Sequence, residues 1–576
     1  MRFSILCIVI LIKTSFSMAQ ITELYKHNQT PTYFQVIDYF TQLASKNEMA
    51  KMIECGKTDS GYPLHLFVID KDKDFDPANA REKGKSILLI DNGIHPGEPD
   101  GIDACIKITD EILNKKSKDY NLDNLVICII PVYNIDGALN RNSTSRVNQE
   151  GPESFGFRGN AQNYDLNRDF IKCDALNAQS FTEIFRTWDP DIFVDTHVSN
   201  GADYQYVMTL ISTQHNRLTP PLGDYLQKTL SPHLYAEMEK VGFPMCPYVD
   251  EVDKIPDNGI LEFMDYGRYS TGYTTTFNTI GFMPETHMLK PYDERVESTY
   301  ALLKIFINYV NDHAKEIIDV RNEAKKITMN SEEFPIEWKL DMNNKSEFSF
   351  KGYEAKYKPS EVSGLQRLYY DRNKPFEKNI PFYNNYTVSK IISAPKAYII
   401  PSAWRNVIER LKLNKVQMHE IEKDTAMEVE VYYIEKFKSV ENPFEGHYLH
   451  NDVELRKEKQ TISFRKGDYI VYVNQEANRY IVETLEPEAP DSFFAWNFFD
   501  AILMQKEWFS DYVFEDIAAE VLKENPQIKT ELENKKTSDP EFAKDARAQL
   551  TFVYQHSKYY EPSHNRYPVY RLTSNP

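Results

Sequence analysis

Residues Ser86 to Glu98 read Ser-Ile-Leu-Leu-Ile-Asp-Asn-Gly-Ile-His-Pro-Gly-Glu, and they constrain the chain more than any other stretch. The run Ile87 to Ile90 is continuous, apolar and too short for a helix, which suits a strand buried on both faces of a sheet. Gly93, Pro96 and Gly97 then break regular structure. His95 and Glu98 are therefore expected on a loop at the strand's carboxyl end, the edge where open α/β sheets place their ligands. One imidazole and one carboxylate three residues apart can reach a single divalent ion, and nitrogen with oxygen donors suits zinc. The same spacing recurs at His313 with Glu316 and at His419 with Glu422. Those pairs fall in a polar helical run and a charged strand-like stretch, so solvated surface is their plainer reading.

At 576 residues the chain exceeds one ordinary core, and two or three domains are expected. Lys plus Arg, 67, against Asp plus Glu, 86, leaves a net charge of −19 with no basic tract, which argues against nucleic acid as a partner. Arg2, the apolar run Ile5 to Ile12 and the small residues ending at Ala19 have the layout of a secretory signal. The run is too short to span a bilayer, and nothing else looks transmembrane. The mature protein is thus expected to be exported, periplasmic or extracellular. Without Cys7, five cysteines remain, an odd number that cannot pair completely.

Along the chain, Thr30-Pro31 can start a helix, and Met49 to Val68 reads as a hairpin turning at Asp59-Ser60-Gly61. Pro99 opens a helix, and Leu125 to Ile130 is a second buried strand. A long polar loop with Arg141, Arg146 and Arg158 closes on Asp165-Leu166-Asn167-Arg168-Asp169-Phe170; a loop of that length is uncommon unless it is functional. A helix from about Asp174 to Thr187 leads to the strand Ile192 to Val194, which ends in Asp195-Thr196-His197. Strands are expected around Tyr273 to Thr276 and Gly281 to Pro284, with Glu285 directly after the latter, then a helix from Tyr292 to Val310. Such alternation argues for an α/β fold, a mixed, mostly parallel sheet with helices on both faces. Beyond about Lys326 the pattern becomes β-rich α+β, with a hairpin expected over Thr461 to Val473 around Lys466-Gly467-Asp468. The expected division is a signal peptide at 1–19, a catalytic domain at 20–325 and an accessory region at 326–576.

His95, Glu98 and His197 give two imidazoles and one carboxylate, a catalytic type of zinc site that leaves a position for water. A further carboxylate is needed to take that water's proton, and Glu285 is the candidate.

With these residues in place, the sequence resembles the M14 zinc carboxypeptidases, the family of pancreatic carboxypeptidase A and of carboxypeptidases D, E and N. The resemblance rests on His95-Pro-Gly-Glu98, on Arg158-Gly-Asn-Ala-Gln-Asn-Tyr-Asp-Leu-Asn-Arg168-Asp-Phe, on His197 and on Glu285, and spans about Thr30 to Asn311. It implies one Zn2+ held by His95, Glu98 and His197, with Glu285 as general base and then acid. It also implies that Arg158 stabilises an oxyanion, that Asn167 and Arg168 grip a terminal carboxylate, and that Asp165 accepts from the free ring nitrogen of His95. Arg141 and Arg146 compete with Arg158, and Tyr266, Tyr269 and Tyr273 all precede Glu285 as candidates for a substrate-clamping tyrosine.

The implied function is a secreted zinc metallocarboxypeptidase acting on peptides or proteins with a free C-terminal carboxylate. A zinc amidase for cell-wall peptides or N-acyl amino acids would use the same groups, and a peptide-binding protein that kept the pocket without turnover is the reading from another class.

Overall fold

The computed structural model describes residues 18–573. The expected signal segment lies outside the described residues, apart from the backbone of Met18 and Ala19. Among the described residues no helix is long and apolar enough to cross a membrane.

An eight-stranded sheet organises the first half. Its strands are β1 (Ala50–Lys57), β2 (Pro63–Asp70), β3 (Ser86–Asn92), β4 (Leu125–Ile130), β5 (Ile192–Ser199), β6 (Met208–Ser212), β7 (Met245–Pro247) and a last one, Ile280–His287. The spatial order is β1-β2-β4-β3-β5, then Ile280–His287, then β6-β7. β3 runs parallel to both β4 and β5, β5 parallel to Ile280–His287, and β6 parallel to β7; β2 pairs antiparallel with β1 and β4, and β6 antiparallel with Ile280–His287. The fold is therefore a mixed α/β sheet. β3, β4 and β5 are buried at every position, which is why their sequences are continuous apolar runs rather than alternating ones.

Helices cover both faces. Asp100–Thr109 and Tyr292–Asp312 pack on each other and on the sheet, while Leu176–Trp188 packs against β1 and β2. Helix Asp100–Thr109 sits so close to β5 that a side chain at Gly101 would meet Thr196 Oγ1 at 2.0 Å, so only glycine fits there. The amino-terminal helix begins at Tyr33, after Thr32, whose N–H and Oγ1 both donate to Gln35 Oε1 at 2.8 Å.

Three expectations need correction. Residues Ser270–Thr275 form a helix, not a strand. The β-branched threonines that suggest a strand satisfy their hydroxyls inside the helix: Thr274 and Thr275 both donate to Thr271 O, and Thr276 donates to Tyr273 O. Glu285 and His197 lie within strands rather than beyond them, because the pairing of β5 with Ile280–His287 continues through Glu285↔His197 to His287↔Ser199. The turn at Lys466-Gly467-Asp468 does not close a hairpin. Strand His450–Phe464 pairs with Thr425–Ser439, whereas Tyr469–Tyr472 crosses to pair with Ala397–Ile400 and His419–Glu420.

The second half is β-rich. It contains a six-stranded sheet, a two-stranded one, and a long hairpin, Ser346–Pro359 with Gln366–Tyr383. The hairpin shares its sheet with Asp250–Glu251 and Ile260–Leu261 of the first half. Phe493, Phe494, Trp496 and Phe499 are fully buried and belong to the core. The sequence reading did not anticipate the helices Asp511–Glu524, Pro526–Ser538 and Ala546–Gln555, which enclose a small core of their own around Phe514, Leu532 and Val553. The change of composition near Lys326 falls inside the helix Ala314–Asn330. All five cysteines are free; Cys105, Cys128, Cys173 and Cys246 are buried.

Candidate metal centre and substrate cavity

Three chain segments converge at the carboxyl ends of β3 and β5. After β3 the chain turns at Gly93, whose φ of +69° is a conformation that favours glycine, and delivers His95 and Glu98 on one loop. His197 comes from β5. His95 Nδ1 lies 3.1 Å from Glu98 Oε1, and His197 Nδ1 lies 3.0 Å from Glu98 Oε2. One donor atom from each residue falls within 4.8 Å of the others, and all three side chains are buried. Among the described residues this is the one such group; neither His313 with Glu316 nor His419 with Glu422 forms another.

The outward nitrogens face carboxylates. His95 Nε2 is 2.9 Å from Asp165 Oδ1, and His197 Nε2 is 3.0 Å from Asp195 Oδ2. Two imidazoles that turn the same ring atom inward with a carboxylate beside the other are suited to a zinc ion, since such an outer partner can fix the ring and raise its basicity. Asp195 is a member of this arrangement that the sequence reading missed. Its signal was available: it stands two residues before His197, so the two share a face of the strand.

Charge accumulates here. Burial would raise the Glu98 carboxyl, but Arg146, His95 and His197 hold it well below the usual carboxylate range. Burial would lower His197, yet Asp195 and Glu98 hold it well above its ordinary value. Asp165 is likewise kept low, against burial, by His95, Arg158 and Arg168. Arg146 Nη2 sits 2.7 Å from Glu98 Oε1. It can do so because Gly97 lacks a side chain, which would meet Arg146 Nε at 2.1 Å.

A cavity of about 230 Å3 opens onto the triad and is also lined by Arg158, Asn167, Arg168, Tyr248, Tyr269 and Glu285. Arg158 enters from the rim: its guanidinium is 2.8 Å from Asp165 Oδ2 and 3.9 Å from Glu98 Oε1, with 47% of the side chain exposed. Arg141 does not reach the cavity; it donates to Ser154 and to the Thr30 and Pro31 carbonyls. Asp165 caps the short turn Leu166–Arg168 by accepting from Asn167 N at 2.9 Å, which sets Asn167 and Arg168 side by side. The Arg168 guanidinium lies 4.4 Å over the Tyr269 ring. Of the three tyrosines weighed from sequence, Tyr269 lines the cavity while Tyr273 is buried in the core, donating to Asn414 Oδ1.

Glu285 and Met283 alternate onto the cavity face of strand Ile280–His287. Burial, then Glu98 and Asp195, push the Glu285 carboxyl up to about 7, against the pull of His197 and Arg158. A carboxyl held there can exchange a proton near neutral pH. His287 faces away: Nε2 is 2.8 Å from Ala202 O, and Nδ1 accepts from Leu289 N.

Residues 36–207 match the family model described as zinc carboxypeptidase, peptidase M14. Carboxypeptidase 2 of Trichophyton equinum is 20% identical over 425 residues, 70% of this chain and 72% of that protein. Carboxypeptidase 2 of Trichophyton rubrum is 20% identical over 494 residues, 80% of this chain and 83% of that one. Among solved structures, a metallo-carboxypeptidase from Pseudomonas aeruginosa covers 50% of this chain and 69% of its own at 15% identity, with a TM-score of 0.36. The carboxypeptidase A of Helicoverpa armigera covers 53% and 79% at 13% identity, also with a TM-score of 0.36. The matched segment contains His95, Glu98, Arg158, Arg168 and His197, and over that segment the chain is similar to the M14 family of zinc carboxypeptidases.

Proposed function

We propose that this protein is an exported zinc metallocarboxypeptidase that removes the C-terminal residue of peptides, with a catalytic domain at 20–325 and an accessory region at 326–576. The observation that carries the reading is the sharing of one cavity by a His-Glu-His triad, a carboxyl poised near neutrality and two arginines.

His95, Glu98 and His197 would hold the ion, and Asp165 and Asp195 would orient the two imidazoles. A zinc ion bound there would acidify a water molecule and polarise the scissile carbonyl. Glu285 would accept the proton of the attacking water and return it to the departing amine, a role its raised pKa suits. Arg158, at the rim, would donate to the oxygen as negative charge builds on it. Arg168, as a planar fork, and Asn167 would hold the substrate's terminal carboxylate, with Tyr269 fixing the plane of the guanidinium.

The test is release of C-terminal amino acids from a peptide set, with and without a chelator, and with free or amidated C-termini. The reading predicts release that a chelator abolishes and amidation suppresses. A protein that cleaves amidated and free peptides alike is not a carboxypeptidase.

A further inference from the structure

The loop between Asn142 and Phe155, whose ends pair in an isolated bridge, carries its tip in solvent, with Val147 91% exposed. Its neighbour Arg146 turns inward instead: 18% of the side chain is exposed, and Nη2 lies 2.7 Å from Glu98 Oε1. The guanidinium is held there. Nη1 donates to Gln149 Oε1 at 3.1 Å, and Gln149 Nε2 donates in turn to Gly97 O at 2.7 Å and to Gly151 O at 3.0 Å. Arg295, fully buried and fixed by Asp100, donates to the carbonyls of Glu150 and Gly151 and so anchors the base of the loop. Arg146 is not among the walls of the metal cavity, so it reaches Glu98 from behind, away from the substrate. The other carboxylate oxygen, Glu98 Oε2, accepts from Val198 N at 2.8 Å. One oxygen thus meets a fixed charge and the other a backbone N–H.

We infer that Arg146 is a positioning residue that acts through Glu98: its charge draws on the ligand carboxylate, so that the site holds zinc less tightly and leaves the ion more strongly polarising than the three ligands alone would. The inference rests on the zinc carboxypeptidase reading. Like charges in a buried site are poorly screened and repel strongly, and a guanidinium cannot shed its proton to escape. A carboxylate shared with a cation also gives less charge to the metal, and a metal that receives less charge polarises a carbonyl more. An outer partner that only orients a ligand acts in the opposite sense: it strengthens the hold, and its loss costs about 10- to 100-fold in metal affinity. The two roles therefore predict opposite changes in zinc binding when the charge is removed. Val198 N–H still holds Glu98 Oε2 without Arg146, so the ligand keeps an anchor in either case.

The experiment measures zinc affinity by competition with a chelator of known affinity, and kcat/KM for a free-carboxylate peptide, in the full-length protein and in Arg146→Gln, Arg146→Lys and Gly97→Ala. We expect Arg146→Gln to bind zinc at least tenfold more tightly and yet to release the C-terminal residue at least tenfold more slowly. Arg146→Lys, which keeps the charge, should stay within about threefold of the unmodified zinc affinity. Gly97→Ala leaves Arg146 in the chain but pushes it off Glu98, since the added carbon would meet Arg146 Nε at 2.1 Å, and it should tighten zinc as Arg146→Gln does. Zinc bound equally or more weakly by Arg146→Gln overturns the inference, and so does tighter zinc without slower release in an active enzyme. Should Arg146→Gln fail to fold, Gly97→Ala decides: tighter zinc supports the inference, and unchanged or weaker zinc overturns it. If the unmodified protein cleaves no peptide, the peptidase reading fails alone, and tighter zinc in Arg146→Gln still supports the role of Arg146.

Discussion

Glu445, deep in the second half of the sequence, accepts a hydrogen bond from the backbone N–H of Asp165 at 2.7 Å. Asp165 is the carboxylate that meets both His95 and Arg158, so the second half of the sequence reaches to within one residue of the candidate metal centre. Around this contact Gly446 packs on the Tyr164 ring, and His447 Nε2 lies 2.7 Å from Asp174 Oδ2. The loop carrying Asn167 and Arg168 is thereby braced from outside. Replacing Glu445 with alanine should lower kcat/KM about tenfold, in the range measured for partners outside a metal's ligands, while bound zinc stays near one per chain. Steady-state kinetics paired with metal analysis checks this, and unaltered kinetics would mean the brace has no bearing on the site.

Glu285→Gln keeps the shape of the side chain and removes its ability to take a proton. Turnover should fall by about 10²- to 10⁴-fold, the span general acid–base catalysis supplies, with zinc content unchanged. Loss of zinc instead would make Glu285 a ligand.

Asp195→Asn leaves His197 without the carboxylate 3.0 Å from its Nε2. Zinc affinity should weaken about 10- to 100-fold. Competition with a chelator of known affinity measures it, and an unshifted affinity would show that β5 alone orients the ring.

Arg168→Lys retains the charge and loses the fork. KM for free-carboxylate peptides should rise about tenfold or more, because charge-assisted bonds to such a group are worth about 1.5–3 kcal/mol. Amidated peptides should respond little to the same change. An equal effect on both substrate types would argue against a carboxylate grip.

Stability should depend on pH through His287. Burial lowers its pKa from the ordinary value of 6.5 to about 4. Below about 6.5 the unfolded chain binds a proton that the folded one refuses, so stability is full above that value and declines as pH falls toward 4, by up to about 3 kcal/mol. Denaturant unfolding at pH 7.5 and 5.0 should show a smaller acid loss in His287→Asn than in the unmodified protein. Equal losses would assign the acid sensitivity elsewhere.

Local sequence made the central sheet legible where it is buried on both faces. Leu125–Ile130 and the start of β3 announce themselves because a continuous apolar run has few other uses. The triad was visible for a related reason: glycine and proline after β3, and polar residues at the end of β5, stand out against apolar strands. What stayed hidden depends on contacts between distant segments. Arg146 is set apart from Arg141 by lying against Gly97 and reaching Glu98, and Glu445 belongs to a stretch with no motif at all. The helix Ser270–Thr275 was misjudged because threonine's strand preference is weaker than the backbone acceptors that the folded protein offers its hydroxyls.

The strands Asp250–Glu251 and Ile260–Leu261 complete a sheet begun by residues some hundred positions later. The two proposed portions on either side of residue 325 are thus joined by backbone hydrogen bonds. A cut there would strip Ile260 and Leu261 of their strand partners Phe382 and Tyr383. A gene fusion that kept only the hydrolase motifs would transplant the pocket that adjoins the metal cavity at Tyr248 and Phe263 without two of its aromatic walls, Phe348 and Phe382.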